Sequence, residues 1–297
     1  MTRKAIFLLA STIISMVLGV AVTNKGECGA PEPTEEHIAV AQEMARNESK
    51  ISINNFAVLD KIHVPVYVHV VSANKKEYPK VGLRFPFIYV TLSVVTIRNA
   101  YSEAQNKQVR AMITTLNKNY ENMGFQFSLR KTDYTVNIGW ASGKDGLTMK
   151  KLLRKGNYRT LNLYYVNTVL QSSTGTITGM CQFPTTGGNS GKTLILDGCV
   201  IRRDAMNNGQ TTTHEVGHWL GLFHTFQGGC TGSGDMVADT PACKQTWSCD
   251  EKTDTCPKLP GKDAVHNFMA YGNCRTQFTD GQAKRARSQY EFYRAKK

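Results

Sequence analysis

The sequence predicts a globular domain of the α/β or α+β class. Runs of strand length that are rich in β-branched and aromatic residues occur at 64–71, 125–129 and 161–166. Segments with apolar residues at helical spacing lie between and after them. The chain has 297 residues, of which 41% are hydrophobic. That is enough to bury one good-sized core or two small ones, and it excludes a disordered or fibrous class.

The N-terminus has the pattern of a secretory signal peptide. Arg3 and Lys4 precede the apolar run AIFLLASTIISMVLGVA, which ends in a small-x-small triplet. We expect cleavage near Ala21, so that residues 1–21 are the signal and the mature protein is secreted and extracellular. The alternative is a retained signal anchor, for which this run is short. No later stretch is long and apolar enough to span a bilayer.

Residues 22–61 are predicted to form a pro-segment or N-terminal extension. They are polar and contain one helix-compatible stretch, at 37–46. A sequon at Asn47 predicts N-glycosylation of an exposed segment. The remaining residues, 62–297, form the predicted globular domain.

That domain begins with a strand and a long helix. In the strand, Pro65 indicates an edge position or a strand start, because proline has no backbone N–H to donate. The apolar run at 81–97 has no predicted partner, and it is either an extra hairpin or an intron translated in error. The helix is expected to begin at Ser102, with Gln105 as its capping-box partner, and to end at Gly124.

The later elements are shorter. Three further strands and a short helix are expected, at 125–129, 161–166, 193–196 and 146–154. A final helix is predicted to begin at Thr279, with Gln282 as its capping-box partner, and to run towards Tyr293.

The charge of the chain is strongly basic. It is +13, and residues 1–21 contribute two of the cations and no acid, which leaves +11 after their removal. The lysines and arginines are scattered, without the interleaved aromatic residues typical of a nucleic-acid groove. We therefore expect a solvated basic surface, no nucleic-acid partner and a monomer. Association with anionic cell walls, membranes or polyanions is the alternative.

The cysteine pattern favours disulfides. The chain has eight cysteines, and an even number is typical of a disulfide-bonded secreted protein. No CxxC pair occurs, so cysteine-bound zinc is not expected. Five of the eight lie between 230 and 274, in loop-like sequence that buries little apolar surface of its own.

One stretch, HEVGHWLGLFH at 214–224, holds three of the seven histidines. Because residues four apart share one face of a helix, His214 and His218 would present both rings to one point. Neutral imidazoles bind zinc at about 2.0–2.1 Å. Glu215, beside the first of them, is placed to accept a proton from water and does not need to bind the metal.

A third ligand requires the helix to end. Gly221 can adopt a left-handed backbone conformation without steric penalty and turn the chain, so that His224 reaches the same point. Three protein ligands leave one coordination position open, which is typical of catalytic zinc. The alternative is an amphipathic helix whose histidines are merely buried or surface residues. The spacing predicts a three-histidine zinc site with an adjacent base.

The pattern HExxHxxGxxH resembles that of the metzincin zinc endopeptidases. HNFMAYG, at 266–272, resembles their methionine turn. HTFQGGCTGSGDMVADTP, which follows the zinc motif, narrows the resemblance to the pappalysin family and, within it, to secreted fungal extracellular metalloproteases. The resemblance covers about 193–293, extends to 62–72 and 102–170, and is absent over 80–98.

The resemblance implies a metzincin-like fold, with a twisted mixed β-sheet and a zinc cleft between an N-terminal and a C-terminal subdomain. It implies a secreted zinc endopeptidase acting on extended polypeptides, with Glu215 as general base and acid and Tyr271 stabilising the oxyanion. Met269 would form the hydrophobic floor of the site. An edge strand within 175–183 would pair with the substrate backbone.

Two details of the later loops follow from the same resemblance. Relatives bind calcium after the zinc motif, where Asp235, Asp239 and Thr240 offer oxygen ligands; ordinary turn-forming residues are the alternative. Some relatives prefer a basic residue just after the cleaved bond, through an acidic residue next to the last cysteine. Asn273 stands there in this chain, so that preference is not implied.

The family spacing also implies three disulfides, Cys230–Cys256, Cys249–Cys274 and Cys181–Cys199. Cys28 and Cys243 would remain, and we favour a bond between them because it completes the even count. The alternative follows from metzincin precursors in which a cysteine ahead of the catalytic domain occupies the open zinc position, as Cys28 could.

Two other classes of function stay open. A secreted cationic binding protein could keep the fold without turnover, although such a protein has no need of Glu215. A zinc hydrolase acting on a non-peptide bond would show chelator-sensitive turnover without proteolysis.

Overall fold

The centre of the fold is a five-stranded mixed sheet. A computed structural model describes residues 28–48, 60–74, 94–169, 171–172 and 175–295. The strand order is β2-β1-β3-β7-β6, and the strands are β1 (Ile62–Ser72), β2 (Phe125–Val136), β3 (Leu161–Val166), β6 (Gly179–Cys181) and β7 (Cys199–Arg202). Neighbouring strands are parallel except β6, which runs antiparallel to β7 along one edge. A separate two-stranded ribbon consists of β4 (Gln171–Ser172) and β5 (Gly175–Thr176).

Helices cover both faces of this sheet. In the described residues they are α1 (Glu35–Glu48), α2 (Val94–Asn119), α3 (Ile138–Ala141), α4 (Gly146–Leu153), α5 (Gly191–Leu196), α6 (Gln210–Trp219) and α7 (Asp280–Tyr290). Short 3₁₀ turns occupy Glu121–Met123 and Arg203–Met206, and a π-helical turn, Glu291–Ala295, follows α7. Of the helices in the described ranges, none combines the length and the apolar character that crossing a membrane requires.

The main core lies on the face of the sheet that carries α2 and α6. Alternate residues of β1, from Val64 to Val70, point into it, where they meet Leu116 of α2 and Trp219 of α6. The opposite face packs against α3 and α4 in a smaller core that includes Met149. All six residues of β3 are buried, as expected of a parallel strand that is covered on both sides.

Most of the predicted elements are present, and the α/β class is confirmed. β3 and α4 lie where the sequence predicts them, and α7 begins after Thr279 with both capping-box hydrogen bonds to Gln282. α1 extends the predicted N-terminal helix by a few residues at both ends. Asn47, near its end, is exposed, and its glycosylation stays a prediction.

The strand predicted at 193–196 is wrong, because those residues belong to helix α5. A run of four apolar residues carries no period that separates strand from helix. The strand role falls instead to β7 (Cys199–Arg202), which pairs with β3 on one side and β6 on the other.

The predicted start of α2 at Ser102 is also wrong, since the helix begins at Val94. Residues 94–101 include no glycine or proline, so nothing in them prevents the helix from beginning before Ser102. The helix ends at Asn119, and Gly124, with φ of 72°, closes the 3₁₀ turn that follows. The rest of the apolar run at 81–97 lies outside the described residues.

Pro65 lies neither on an edge strand nor at a strand start, since it is the fourth residue of β1. β1 is the second strand of the sheet, between β2 and β3. Its pairing with β3 begins only at Val66, so Pro65 has a strand neighbour on the β2 side alone. The missing N–H is therefore tolerated without a gap in the β1–β3 ladder.

Candidate active site

The candidate site is built on α6 and the turn that follows it. His214 and His218 lie on one face of this helix, which is buried from Thr211 to Trp219. The helix ends at Trp219, and Gly221 takes a φ of 88°. A β-carbon at Gly221 would lie 2.7 Å from the side-chain Cδ of Gln289, so glycine is required by both conformation and space.

This turn brings His224 back to the other two rings. The three Nε2 atoms lie 3.1 to 3.2 Å from one another. A point about 2.0–2.1 Å from all three lies about 1 Å outside their plane, which is the geometry that zinc needs for three of its four tetrahedral positions. The donor set and its spacing therefore fit zinc.

The other ring nitrogens fix the orientation of these imidazoles. The Nδ1 atom of His214 lies 2.7 Å from the carbonyl oxygen of Phe268, and Nδ1 of His218 lies 2.8 Å from that of Leu222. A carbonyl only accepts, so Nδ1 carries the proton and the Nε2 lone pair stays free for a metal. Burial lowers the pKa of all three histidines, to about 4 for His218, which keeps the rings neutral.

Glu215 lies beside this cluster and is fully buried. Neither carboxylate oxygen receives a hydrogen bond of ordinary geometry from the described residues. Burial raises the pKa of Glu215 to about 8, and the nearby Cys28 thiol and Arg275 guanidinium lower it to a smaller extent. A β-carbon at Gly179 of β6 would lie 2.5 Å from its Oε1 atom, so the edge strand passes directly over the carboxylate.

Cys28 completes the cluster, and the predicted Cys28–Cys243 disulfide is wrong. Both cysteines are free thiols. The Sγ atom of Cys28 and one ring nitrogen from each of the three histidines all lie within 4.8 Å of one another, as in a four-ligand metal site. Cys243 is buried elsewhere, 3.9 Å from the hydroxyl of Thr225. The chain around Cys28 is held by a hydrogen bond from Gly29 N to the carbonyl oxygen of Gly179 on β6, of 2.8 Å.

The methionine turn lies beneath α6. Met269 is fully buried, and its sulfur packs so closely under Gly217 that a β-carbon there would overlap it. The turn is fastened to α7, because the side-chain amides of Asn267 and Gln282 exchange two hydrogen bonds of 2.8 and 3.0 Å. The capping residue Gln282 therefore also supports the floor of the site.

Tyr271 is buried next to the histidine cluster. The centre of its ring is 5.9 Å from that of His214 and 5.3 Å from that of His224. Phe226 and Trp247 pack against it, at 4.8 and 5.7 Å between ring centres. The ring is therefore close to two of the three candidate zinc ligands, and the role of Tyr271 stays a prediction.

The three implied disulfides are present, one before the zinc motif and two in the loop segment after it. The structure holds bonds Cys181–Cys199, Cys230–Cys256 and Cys249–Cys274. The first of them joins directly paired residues of β6 and β7 and so ties the edge strand to the sheet.

The three suggested calcium ligands do not act as one group. Thr240 donates a 2.6 Å hydrogen bond to Oδ1 of Asp235, whose Oδ2 is buried without a partner among the described residues. Asp239 instead accepts from the hydroxyl of Thr279 and the N–H of Gly281 at the start of α7. Calcium binding stays a prediction that rests on Asp235 and Thr240.

Sequence reasoning missed one charged residue of the site, Arg275. It is 5% exposed, and its positive charge contributes to the pKa values of Glu215, Cys28, His214 and His224. Its place directly after Cys274 is a weak signal at most, because only the folded loop brings it to the cluster.

Comparison with known proteins agrees with this geometry. Residues 149–291 match the peptidase M43 family, described as pregnancy-associated plasma protein-A. An extracellular metalloprotease of Neurospora crassa is 39% identical over 303 residues, which cover 97% of each chain. One from Verticillium alfalfae is 38% identical over 99% of this chain and all of its own.

A solved structure supports the fold. Mature mirolysin of Tannerella forsythia, in complex with a cleaved peptide, aligns with a TM-score of 0.56 over 78% of this chain and 92% of its own, at 24% identity. The predicted metzincin-like fold is thereby confirmed. With its sequence relatives and its fold in agreement, the chain belongs to the pappalysin family of metallopeptidases, peptidase family M43, and is a metalloendopeptidase.

Proposed function

We propose that the protein is a secreted zinc endopeptidase made as a latent precursor. Residues 1–21 are its signal peptide, 22–61 its pro-segment and 62–297 its catalytic domain. The observation that carries the catalytic part is the convergence of three neutral imidazole nitrogens next to the buried, unpaired carboxylate of Glu215. The extracellular metalloproteases among its relatives support secretion.

His214, His218 and His224 hold the zinc ion. When bound, zinc polarises the scissile carbonyl and lowers the pKa of water. Glu215 accepts the proton of the attacking water and passes it to the leaving amine, and burial, which raises the pKa of this carboxyl, makes it a stronger base than a solvated one. The hydroxyl of Tyr271 donates a hydrogen bond to the developing oxyanion.

The substrate is an extended polypeptide that adds to the sheet along β6. This strand is at the edge of the sheet, and its backbone passes over Glu215. The hydrogen bond from Gly29 to Gly179 supports the idea that a passing chain can pair here. Because the N-terminal segment uses the same edge, substrate and pro-segment compete for it.

Latency follows from the thiol of Cys28. It lies where the fourth ligand of the metal would be, beside Glu215, and so excludes the attacking water. Proteolytic removal of residues 22–61 would take away both the thiol and the chain paired with β6.

Digestion of casein by the activated secreted protein tests the catalytic part. Glu215→Gln keeps the shape of the side chain but removes the base, so we expect it to retain one zinc ion per chain and to lose activity by about 10³-fold or more. Glu121→Gln, at an exposed carboxylate of the 3₁₀ turn after α2, is the matched control. Equal activity of Glu215→Gln and wild type, or a wild type without bound zinc, would contradict the mechanism.

A further inference from the structure

A cavity of about 190 Å³ lies beside the candidate zinc site. Four segments form its wall: the residue before β6, the turn after β7, the first turn of α6 and the loop after Tyr271. Thr211, in that turn of α6, lies just under one helical turn before His214. Thr178 directly precedes the edge-strand residue that covers Glu215. A peptide paired with β6 would therefore place a side chain next to the reacting bond in this cavity.

The charged residues of the cavity wall have a positive net charge. They are Arg202, Asp204 and Arg275. Asp204 is bound to Arg202 by a 2.6 Å ion pair at the rim, where its side chain is 67% exposed. That pair is close to neutral as a unit and faces water, so Arg275 is the remaining charge of the cavity wall.

Arg275 is held in place from several sides. Its Nη1 atom donates to the carbonyl oxygen of Ala270, at 3.4 Å, and its own carbonyl accepts from Nε2 of Gln210, at 3.1 Å. The residue before it, Cys274, is tied to Cys249. A guanidinium fixed in this way loses little side-chain entropy when it binds a ligand.

We propose that this cavity selects an acidic side chain of the substrate, aspartate or glutamate, at a residue flanking the cleaved bond, with Arg275 as the specificity-determining residue. The acid-selecting pocket is defined by Thr178, Arg202, Asp204, Gln210, Asn273 and Arg275. The proposal rests on the proposed endopeptidase function and adds the class of substrate.

Other side chains fit this pocket less well. A lysine or arginine would meet the charge of Arg275 at close range, and the carboxylate of Asp204 is already paired. A large apolar side chain would displace water from hydroxyl, amide and guanidinium groups without replacing its hydrogen bonds. A carboxylate replaces those bonds and gains charge-assisted ones.

The first test is digestion of a proteome-derived peptide library with the activated, zinc-loaded protein. Aspartate and glutamate should be enriched at one of the two positions flanking the cleaved bonds, and lysine and arginine depleted there. Two synthetic peptides that differ only by Glu or Gln at that position then give the selectivity. We expect kcat/KM to favour the Glu peptide by about tenfold or more.

Variants separate a specificity role from a structural one. Arg275→Gln should bring the Glu-to-Gln ratio of kcat/KM to within about twofold of unity while the Gln peptide is still cleaved. Arg130→Gln removes an exposed cation on β2, at the opposite edge of the sheet, and should leave the ratio unchanged. If Arg275→Gln does not fold, Asn273→Asp serves instead. It adds a carboxylate at an exposed position of the same wall and should lower the ratio by about threefold or more.

The outcomes distinguish the two proposals. Cleavage with a basic or apolar preference, or an unchanged ratio in both pocket variants, overturns the acid-selecting pocket and leaves the endopeptidase intact. A zinc-loaded protein that cleaves no peptide of the library overturns the endopeptidase function, and the pocket with it.

Discussion

The candidate metal site takes its ligands from two segments that are anchored in different ways. The histidines come from residues 214–224, where α6 is buried from Thr211 to Trp219 and two of the rings are hydrogen-bonded to backbone carbonyls. The thiol comes from residues 28–48, which contribute mainly exposed or half-buried side chains. The first segment belongs to the core of the domain, whereas the second rests on its surface.

The surface segment is attached near both of its ends and along α1. Gly29 pairs with β6 near the site, and Ala41 of α1 is buried against Phe183. At the far end, Glu48 forms a two-pronged ion pair with Arg285 of α7, with nitrogen–oxygen distances of 3.0 to 3.2 Å. This difference in anchoring fits the proposed function, in which the three histidines stay and the fourth ligand leaves with the pro-segment.

The largest effect is expected from Cys28→Ser in the full-length chain, which removes the thiol and leaves the three histidines in place. A serine hydroxyl is a poor zinc ligand beside a thiolate, so the open position becomes accessible to water. We expect the basal activity of the uncleaved chain on a peptide substrate to rise by about 100-fold. Replacing zinc with cobalt should show thiolate-to-metal absorption in wild type and none in the variant.

Cys243→Ser is the matched control, because it removes the other free thiol. It should leave latency and the cobalt spectrum unchanged. Mass spectrometry of the secreted precursor tests the alternative disulfide. A peptide containing Cys28 joined to Cys243 would show that Cys28 is not a metal ligand.

A smaller effect is expected at the other end of the surface segment. Glu48→Gln removes the charge of the carboxylate that is paired with Arg285, whose side chain is 2% exposed. Removing one partner of a buried ion pair costs about 3 kcal/mol, so α1 should detach more often. Hydrogen exchange of the α1 amides in the full-length chain should accelerate by about tenfold or more, while exchange in α6 stays unchanged.

Glu43→Gln, at an exposed position of the same helix, is the matched control. It removes the same charge as Glu48→Gln and should have no effect on hydrogen exchange. If both variants exchange α1 amides at the wild-type rate, the ion pair is not an anchor, and the attachment lies in other contacts of the segment, such as those of Ala41 and Gly29.

The same contrast explains what the sequence could predict. The three histidines were predictable because helical spacing and one glycine fix their geometry within eleven residues. The place of Cys28 was not, because its neighbours at the site come from α6 and from β6, both far along the chain. Counting cysteines favoured a disulfide, whereas the resemblance to metzincin precursors offered the alternative of Cys28 at the open zinc position, and the structure places Cys28 beside the three histidines as that alternative requires.

Among the elements of the fold, those with a clear period or cap were predicted well. β3 is an apolar strand of full length, and α7 carries a capping box that the structure contains. Helix α5 was predicted as a strand because a run of four apolar residues has no period that separates the two. Arg275 was missed because only the folded loop places it in the wall of the cavity.

The smallest expected effect concerns Asp235, next to Met236, whose carbonyl accepts a hydrogen bond from the anchor residue Arg285. Asp235 is 3% exposed, and burial raises its pKa to about 7. In the unfolded chain the value is about 4, so the folded state holds the proton to higher pH. The stability present at low pH is therefore lost as the pH rises from about 4 to about 7.

Calcium bound to the ionised carboxylate would reverse that loss. Without calcium, we expect Asp235→Asn to raise the melting temperature at pH 8 by a few degrees, because the amide carries no buried charge. With calcium, wild type should gain stability and the variant should not. Asp250→Asn, at an exposed carboxylate, controls for charge. If calcium does not change the melting temperature of the wild type at pH 8, Asp235 and Thr240 form only a turn. The loop that contains Asp235 and Met236 is then held by the hydrogen bond from Arg285 without a bound cation.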